Sequence, residues 1–523
     1  MSTLVAAFCS VVLSAAGDAA GRPNVVMIIS DDHAYTDFGF MGNTLVRTPH
    51  LDRLAARSAR YANAYVPSSV CRPSLATLLT GLYPHEHLIH FSHPPPGNAA
   101  LGRMAHDEYY AARARGEELI GRVPSLPRIL ASAGYDCLQT GKFWEGHYRN
   151  AGFTHGMTTG RAAGVPGCWD KQLPDGTTVA HGNGDAGLVI GRTTMEPLWD
   201  FIDEHDAVGD RPFFIWYAPV MPHEPHDPPQ EYLALYRDDP QVPRHRVAYY
   251  AMCTWFDATV GQLIERLEEK GLARNTLFVF LADNGWAPSP KPNPREPVYP
   301  VDGRSKRSPF ERGLRTPLLI RWDGRLKPAT HDAPISSVDV APTILDALGM
   351  GEKAEGMSGV SLMPSATGQV AAHGDCLDFR GHGGCPDFRG EVRENGSVPF
   401  GGQGDRHIFQ AETARKMSQS PADRPVFGEI YPGDATTLGN PAGDVAYRWV
   451  RQGRLKLIVP HAHGGKNPWG DYLNEAALYD VAADPEEEND LSGDPRFAGE
   501  AARLHAILDA WWPVEPDDDP HLE

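Results

Sequence analysis

Three stretches of the chain are almost entirely apolar, with many β-branched or aromatic residues, and they lie at residues 24–30, 212–218 and 276–282. Such runs, without polar alternation, are typical of strands buried on both faces of a parallel sheet. Between two of them, residues 247–270 carry apolar side chains at helical spacing, and Gly271 follows as a helix stop. This alternation predicts an α/β domain with a large, mostly parallel central sheet flanked by helices. Ligands of such sheets bind beyond the carboxyl ends of the strands.

The hydrophobic pattern weakens after about residue 368. Residues 369–425 are Gly-rich and contain the near-repeat CLDFRGHGG and CPDFRGEVR. They predict an irregular insertion, which is either a long functional loop or a surface excursion. Residues 426–523 combine strand-like stretches with an amphipathic helix, which predicts a small C-terminal α+β subdomain. Residues 1–21 hold an apolar stretch ending in small residues, typical of a signal peptide, so we expect an exported protein whose main domain spans residues 22–368.

Composition and charge narrow the classes of partner. The chain has 523 residues, is 41% hydrophobic and carries a formal net charge of −19, so we expect a globular protein without a nucleic-acid partner. No apolar run is long enough to span a bilayer, so we expect no membrane partner. The seven cysteines include no CxxC pair, which argues against a zinc ribbon. Cys376 and Cys385 are either a small disulfide loop or two free thiols.

Acidic and amide side chains follow two of the predicted strands directly. Asp31 and Asp32 come after the first strand, and Asp283 and Asn284 come after residues 276–282. If both strand ends meet at one edge of the sheet, carboxylates this close would repel each other unless a cation lay between them. Oxygen-only ligands favour calcium or magnesium over zinc. Taken alone, Asp31 and Asp32 are more simply interpreted as turn or helix-cap residues. The presence of Asp283 and Asn284 after a second strand favours a metal site.

Cys71 lies in the motif SVCRPSLATLLTG, at residues 69–81. Pro73 suits the first turn of a helix, so the motif predicts Cys71 at a helix N-terminus. The free amides and the dipole at that end favour an anion or a developing alkoxide. The alternative is a buried, inert cysteine.

Two lysines and a histidine pair are further candidates. Lys142 follows a strand-like stretch, and Lys306 lies in SKRSPFERGLRTP. Either lysine, taken singly, fits a solvated surface position equally well. His223 and His226 follow the apolar run 212–218 and fit metal binding, proton donation or a turn.

In chain order, these segments resemble the sulfatase family of the alkaline phosphatase superfamily. The resemblance runs from residue 22 to about residue 348 and rests on several motifs. They are PNVVMIISDDHAYTDFG, TPHLDRLAARSARYANAYV, SVCRPSLATLLTG, TLFVFLADNGW, KRSPFERGLRTPLLIRWDG and VDVAPTILDALG. Residues 477–491 (ALYDVAADPEEENDL) resemble the family's small C-terminal domain. Six or more motifs in the family's order are a specific signal.

The resemblance implies a hydrolase of sulfate esters, with a sulfated carbohydrate as the expected substrate. It implies one calcium ion (Ca2+) with four oxygen-bearing ligands, Asp31, Asp32, Asp283 and Asn284. It implies that a formylglycine-generating enzyme oxidises Cys71 to formylglycine, whose hydrate is the nucleophile. It also implies that the sulfate is contacted by Lys142, His223 and Lys306. Of these, His223 or Lys306 would assist the leaving oxygen.

Two positions depart from the family pattern. The family motif has Arg four residues after the Cys, where this chain has Leu75, and that Arg belongs to the recognition motif of the maturing enzyme. Arg72 is nearby but projects differently from a helix. The family's Lys-x-His becomes Lys142-Phe143-Trp144, so Glu145 or His147 is the candidate replacement for the missing histidine.

Two other functions fit the same fold. One is a phosphate-ester or phosphonate hydrolase, whose two-zinc members need additional His and Asp ligands. The other is a non-catalytic binder of sulfated glycans, favoured by the two departures and disfavoured by the retained lysines and metal ligands.

Overall fold

The computed structural model describes part of the chain, namely residues 21–95, 104–159, 170–172, 178–180, 189–205, 211–286, 304–368, 424–431, 437–461 and 472–514. The predicted signal peptide and the Gly-rich insertion lie almost wholly outside these residues, and Cys376 and Cys385 lie outside them entirely. The division into residues 1–21, 22–368, 369–425 and 426–523 therefore stays a prediction.

The described residues form fifteen β-strands. They are β1 (Asn24–Ser30), β2 (Ala59–Tyr65), β3 (Asp136–Gly141), β4 (His155–Gly156), β5 (Asp170–Gln172), β6 (Thr178–Ala180), β7 (Phe213–Ala218), β8 (Thr276–Ala282), β9 (Arg315–Arg321), β10 (Ala329–His331), β11 (Ile335–Ser336), β12 (Val426–Ile430), β13 (Tyr447–Gln452), β14 (Leu455–Pro460) and β15 (Ala477–Asp480).

The described residues also form thirteen α-helices. They are α1 (Pro49–Ala56), α2 (Cys71–Thr80), α3 (Pro84–His87), α4 (His106–Glu117), α5 (Leu126–Ser132), α6 (Glu196–Asp203), α7 (Gln230–Leu233), α8 (Val247–Glu269), α9 (Glu311–Leu314), α10 (Val340–Ala347), α11 (Met363–Ala366), α12 (Pro441–Asp444) and α13 (Ala498–Trp511). Among the described residues, no helix combines the length and the apolar character needed to cross a lipid bilayer.

Nine strands form the central sheet, in the order β10-β2-β9-β8-β1-β7-β3-β4, with β11 also paired to β2. Strand β9 runs antiparallel to both of its neighbours. The other pairings in this sheet are parallel. The predicted α/β fold with a mostly parallel central sheet is therefore confirmed.

The central strand β1 shows why the apolar runs are continuous. Its alternate residues Val25, Met27 and Ile29 pack into one core, together with side chains of α2, α5 and α10. Val26 and Ile28 pack into a second core on the opposite face, together with α1, α6 and α8. Because both faces are covered, no polar alternation is needed in the strand.

A second, antiparallel sheet with the order β12-β13-β14-β15 forms near the C-terminus, and α13 covers one of its faces. Its other face packs against residues of the large domain, including Tyr65 and Phe310. Lys456 Nζ lies 3.2 Å from Glu311 Oε1 and 3.0 Å from Glu487 Oε1, and all three side chains are buried. This ion-pair cluster ties the second sheet to the segment that leads from Lys306 into β9.

Candidate active site

The strand ends of β1 and β8 bring the acidic residues together. The two strands are parallel neighbours, and Ser30 pairs with Ala282, so both chains leave the sheet at the same level. The Asp283 N–H donates to the Ser30 carbonyl at 2.9 Å, and the Asp32 N–H donates to Asp283 Oδ1 at 3.0 Å. Asn284 Nδ2 donates to Asp32 Oδ1 at 2.7 Å. The four predicted metal ligands therefore form one buried cluster.

Cys71 faces this cluster from the first position of α2. The helix is buried along its whole length, and Val70 before it is extended. The Cys71 Sγ lies 3.7 Å from Asp31 Oδ1 and 3.6 Å from Asp32 Oδ1. The predicted position of Cys71 at a helix N-terminus therefore agrees with the structure, and the helix end points its dipole at the carboxylates.

Lys142 enters the site from the end of β3. Gly141 before it has φ +75°, and an added Cβ there would lie 2.0 Å from the Ala218 carbonyl oxygen. The Lys142 N–H donates to that same oxygen at 2.6 Å. The Lys142 Nζ lies 2.7 Å from both Asp31 oxygens and 3.9 Å from Asp283 Oδ2. The close approach at Gly141 thus fixes the direction in which Lys142 leaves the strand.

Lys306 reaches the site from the segment that follows residue 304. Its N–H donates to the Trp286 carbonyl at 3.2 Å. Its Nζ lies 2.5 Å from Asp32 Oδ1 and 3.0 Å from Cys71 Sγ. The two lysines therefore place one positive charge beside each of the first two aspartates, and Lys306 also touches the thiol.

His223 follows β7 in a proline-rich loop. Its Nε2 lies 3.4 Å from Asp32 Oδ2, and its Nδ1 lies 2.8 Å from the Glu224 carbonyl oxygen. Because a carbonyl can only accept, Nδ1 carries a proton and Nε2 faces the acidic cluster. Burial lowers the pKa of His223 to about 4, although Asp32 and Asp31 oppose that shift.

Burial and the neighbouring charges shift the pKa values of most ionisable groups in the cluster. Burial and Asp31 raise the pKa of Asp283 well above its usual range. Burial also acts to raise the pKa of Asp32, but His223 and Lys306 overcome it and hold that pKa below its usual range. Burial alone would lower the pKa of Lys142, whereas Asp31 reverses this and raises it. Burial and Asp283 raise the pKa of the Cys71 thiol, so the site without a metal disfavours a thiolate.

Two oxygens of the cluster are suited to a metal ion. Asp283 Oδ2 and Asn284 Oδ1 are buried and have no hydrogen-bond partner among the described residues. Buried oxygens without a partner are costly, and a cation satisfies both at once. Asp31, Asp32, Cys71 and His223 each offer one ligand atom, and these four atoms lie within 4.8 Å of one another. The oxygen-bearing side chains of the cluster, those of Asp31, Asp32, Asp283 and Asn284, fit a hard divalent cation, whereas Cys71 and His223 bring sulfur and nitrogen close to the same place.

The two departures from the family pattern have structural explanations. Leu75 packs into the apolar core beneath the sheet. Arg72 is fully buried and forms a bidentate ion pair with Glu145, at 2.9 and 2.7 Å, and also donates to the Gly116 carbonyl. His147 Nδ1 accepts from the Arg149 N–H at 3.2 Å. Glu145 is thus held by Arg72, and His147 by the backbone of its own loop, and the replacement of the missing histidine by either residue stays a prediction.

Two residues near the site were not singled out from the sequence. Arg192 donates to the backbone of the loop that carries His223. Arg307 has φ +75°, and its N–H donates to the Ser69 carbonyl at 3.0 Å. Arg307 lies within the motif KRSPFERGLRTPLLIRWDG but was given no role there, and no local motif marks Arg192.

Comparisons with known proteins identify the family of this chain. The family model described as Sulfatase matches residues 23–350. N-acetylgalactosamine-6-sulfatase of Canis lupus familiaris is 27% identical over 401 residues, which span 71% of this chain and 72% of that protein. Arylsulfatase A of Homo sapiens is 29% identical over 362 residues, spanning 63% of this chain and 65% of that protein.

Solved structures extend the similarity to nearly the whole fold. A structure in complex with k-i-k-neocarrahexaose has a TM-score of 0.61 at 19% identity, covering 95% of this chain and 94% of its own. A structure in complex with its substrate D-glucosamine-2-N,6-O-disulfate has a TM-score of 0.59 at 19% identity, covering 96% of this chain and 100% of its own. At these identities the likeness concerns the fold alone.

The contact at Gly141 yields a testable prediction for stability. Gly141→Ala and Gly134→Ala both place a side chain at a left-handed backbone position, which costs ~1–2 kcal/mol. Only at Gly141 does the new Cβ also collide with backbone, because the nearest atom at Gly134 lies 3.5 Å away. We expect Gly141→Ala to lose ~1–3 kcal/mol more than Gly134→Ala, measured by urea unfolding followed by tryptophan fluorescence. Equal losses in the two variants would contradict the close approach.

Proposed function

The chain belongs to the sulfatase family, and from this premise we propose that it cleaves sulfate from a sulfated carbohydrate, using a formylglycine made from Cys71 and one calcium ion. The observation that best supports the proposal is the position of Cys71. Its Sγ stands at a helix N-terminus, 3.0 Å from Lys306 Nζ and within 3.7 Å of Asp31 and Asp32. A nucleophilic oxygen at that position would lie against both the metal ligands and a cation.

The proposed calcium ligands are the four residues at the ends of β1 and β8: Asp31, Asp32, Asp283 and Asn284. Calcium accepts six to eight oxygen ligands in flexible geometry, which suits carboxylates and an amide oxygen from two separate strands. When bound, it supplies positive charge that offsets charge on the sulfuryl oxygens. The two buried oxygens without hydrogen-bond partners support this assignment.

Formylglycine supplies the chemistry that a cysteine thiol lacks. Its hydrate would offer one hydroxyl that attacks sulfur while the bond from sulfur to the carbohydrate oxygen breaks and that oxygen leaves as an alcohol. Deprotonation of the second hydroxyl would then break the bond to the sulfate group, release sulfate and restore the aldehyde. Maturation requires a formylglycine-generating enzyme that accepts Leu75 in place of the motif arginine. Export from the cell is the location that suits the apolar residues 1–21.

Three side chains of this protein would stabilise charge and assist the leaving oxygen. Lys142 and Lys306 hold positive charge at the site, where they offset the negative sulfuryl oxygens in the transition state. Either His223 or Lys306 assists the leaving oxygen by supplying a hydrogen bond or a proton. His223 can do this only as an imidazolium, because a neutral His223 keeps its one proton on Nδ1, where it is bonded to the Glu224 carbonyl.

The names of the relatives support a carbohydrate substrate. One relative is named for N-acetylgalactosamine-6-sulfate ester cleavage, and one structural neighbour holds glucosamine disulfate as its substrate. The alternatives, a phosphate-ester or phosphonate hydrolase and a non-catalytic glycan binder, gain no support from these comparisons. Asp283 and Asn284 also provide oxygen atoms rather than the additional histidines of two-zinc sites.

Removal of the nucleophile tests the proposed reaction. We expect Cys71→Ala to abolish release of sulfate from N-acetylgalactosamine 6-sulfate and from 4-nitrophenyl sulfate, measured by ion chromatography. Lys306→Met should lower kcat by about 10²–10³-fold, because it removes a cation from the transition state. Lys270→Met, which changes a lysine paired with Asp203 on the surface, is the matched control. Undiminished turnover in Cys71→Ala would exclude the proposed nucleophile.

Metal content tests the proposed cofactor separately. We expect about one calcium per chain, and a fall in calcium affinity of at least about tenfold in Asp283→Asn, because a ligand charge is lost. Asp257→Asn is the control, since Asp257 is also buried but accepts from the backbone N–H groups of His50 and Leu51. The readout is elemental analysis after dialysis against graded calcium. Two zinc ions per chain would instead favour the phosphate-ester hydrolase.

A further inference from the structure

The loop that carries His223 forms few backbone hydrogen bonds of its own among the described residues. Residues 219–227 include three prolines, so three of their nine backbone nitrogens cannot donate. Two described backbone hydrogen bonds lie within the loop, from Met221 to the Pro219 carbonyl and from Asp227 to the Pro225 carbonyl. A third ties the loop to the sheet, from the Asp31 N–H to the Met221 carbonyl at 2.9 Å. The carbonyl oxygens around His223 therefore depend on donors from elsewhere.

Arg192 supplies those donors with a single side chain. Its Nε donates to the Val220 carbonyl at 3.0 Å. Its Nη2 donates to the His223 carbonyl at 2.8 Å and to the Pro225 carbonyl at 3.2 Å. Its Nη1 pairs with Asp227. One guanidinium thus spans the loop on both sides of His223, and only 7% of the side chain is exposed.

The backbone around Arg192 is itself fixed against the sheet. The Gly191 N–H donates to the Thr194 carbonyl at 2.9 Å, and the Thr193 N–H donates to the Val189 carbonyl at 2.8 Å. Gly191 has φ +77°, and an added Cβ would lie 2.9 Å from the hydroxyl of Tyr217 in β7. This turn therefore packs closely against the end of β7, and the His223 loop begins at that end. The turn therefore fixes the position of the Arg192 backbone, from which the guanidinium extends to the loop.

The imidazole is coupled to this backbone by its own hydrogen bond. His223 Nδ1 donates to the Glu224 carbonyl at 2.8 Å. Arg192 Nη2 holds the carbonyls of His223 and Pro225, which come immediately before and after the Glu224 carbonyl along the chain. A shift of that backbone would move the Glu224 carbonyl and with it the Nε2 that faces Asp32, 3.4 Å away.

We propose that Arg192 is a positioning residue for the sulfatase reaction, which acts by holding the His223 loop so that Nε2 faces the sulfate site. The inference rests on the proposed function for the role of His223, but not for the contacts of Arg192. The planar guanidinium is needed because its donors diverge in a fixed fork, whereas a lysine offers one flexible point charge. The pair with Asp227 contributes little, because the Asp227 side chain is 57% exposed.

A double-mutant cycle separates positioning from general destabilisation. We expect Arg192→Lys to lower kcat by about 10- to 100-fold, since small misplacements of a reacting group cost this much. In a His223→Ala background the same change should lower kcat by no more than about twofold, because Arg192 acts through the missing imidazole. Asp227→Asn is the matched control, since it removes the ion pair and leaves the three carbonyl bonds. Full, additive losses in both backgrounds would overturn the proposal.

Hydrogen–deuterium exchange tests the same claim without turnover. Arg192→Lys should speed exchange in peptides covering residues 220–227 by about tenfold, because local opening becomes easier. Asp227→Asn should leave these rates unchanged, and peptides from β7 should be unaffected in both variants. Unchanged exchange in Arg192→Lys would overturn the proposal. Failure of the wild-type chain to release sulfate would count against the proposed function alone, since the exchange result does not depend on it.

Discussion

The site depends on the convergence of three buried carboxylates at the ends of β1 and β8. At most 2% of each is exposed, for Asp31, Asp32 and Asp283 alike. Negative charges that lie close together and are shielded from water repel each other strongly. Parallel pairing of the two strands makes the convergence unavoidable, because Ser30 and Ala282 lie side by side. Two features of the site compensate for this excess of negative charge. One is the pair of lysines, and the other is the set of buried oxygens that could bind a cation.

Each compensating group arrives from a different part of the chain. Lys142 comes from β3 through the close approach at Gly141, and Lys306 comes from a segment tied to the second sheet by Lys456. His223 arrives on a loop that must be held by Arg192. The chemistry is therefore assembled by the fold as a whole, and the position of each cation is set by backbone contacts far from its own sequence.

The sequence was sufficient for the elements whose signals are local. Continuous apolar runs identified β1, β7 and β8, and the residues after them identified the acidic cluster. The helix at Cys71 followed from Pro73. The pairing of Arg72 with Glu145, which are 73 residues apart, and the contact of Arg192 with the His223 loop could not be predicted, because no periodicity or motif encodes a long-range hydrogen bond.

The proposed reaction requires that Cys71 becomes formylglycine despite Leu75. The most direct measurement is the mass of the peptide containing Cys71, from protein made in a host with formylglycine-generating activity and assayed for sulfate release in the same preparation. We expect a peptide lighter by about 18 Da, the change from thiol to aldehyde, in a preparation that releases sulfate. An unmodified thiol in a preparation that still releases sulfate would contradict it.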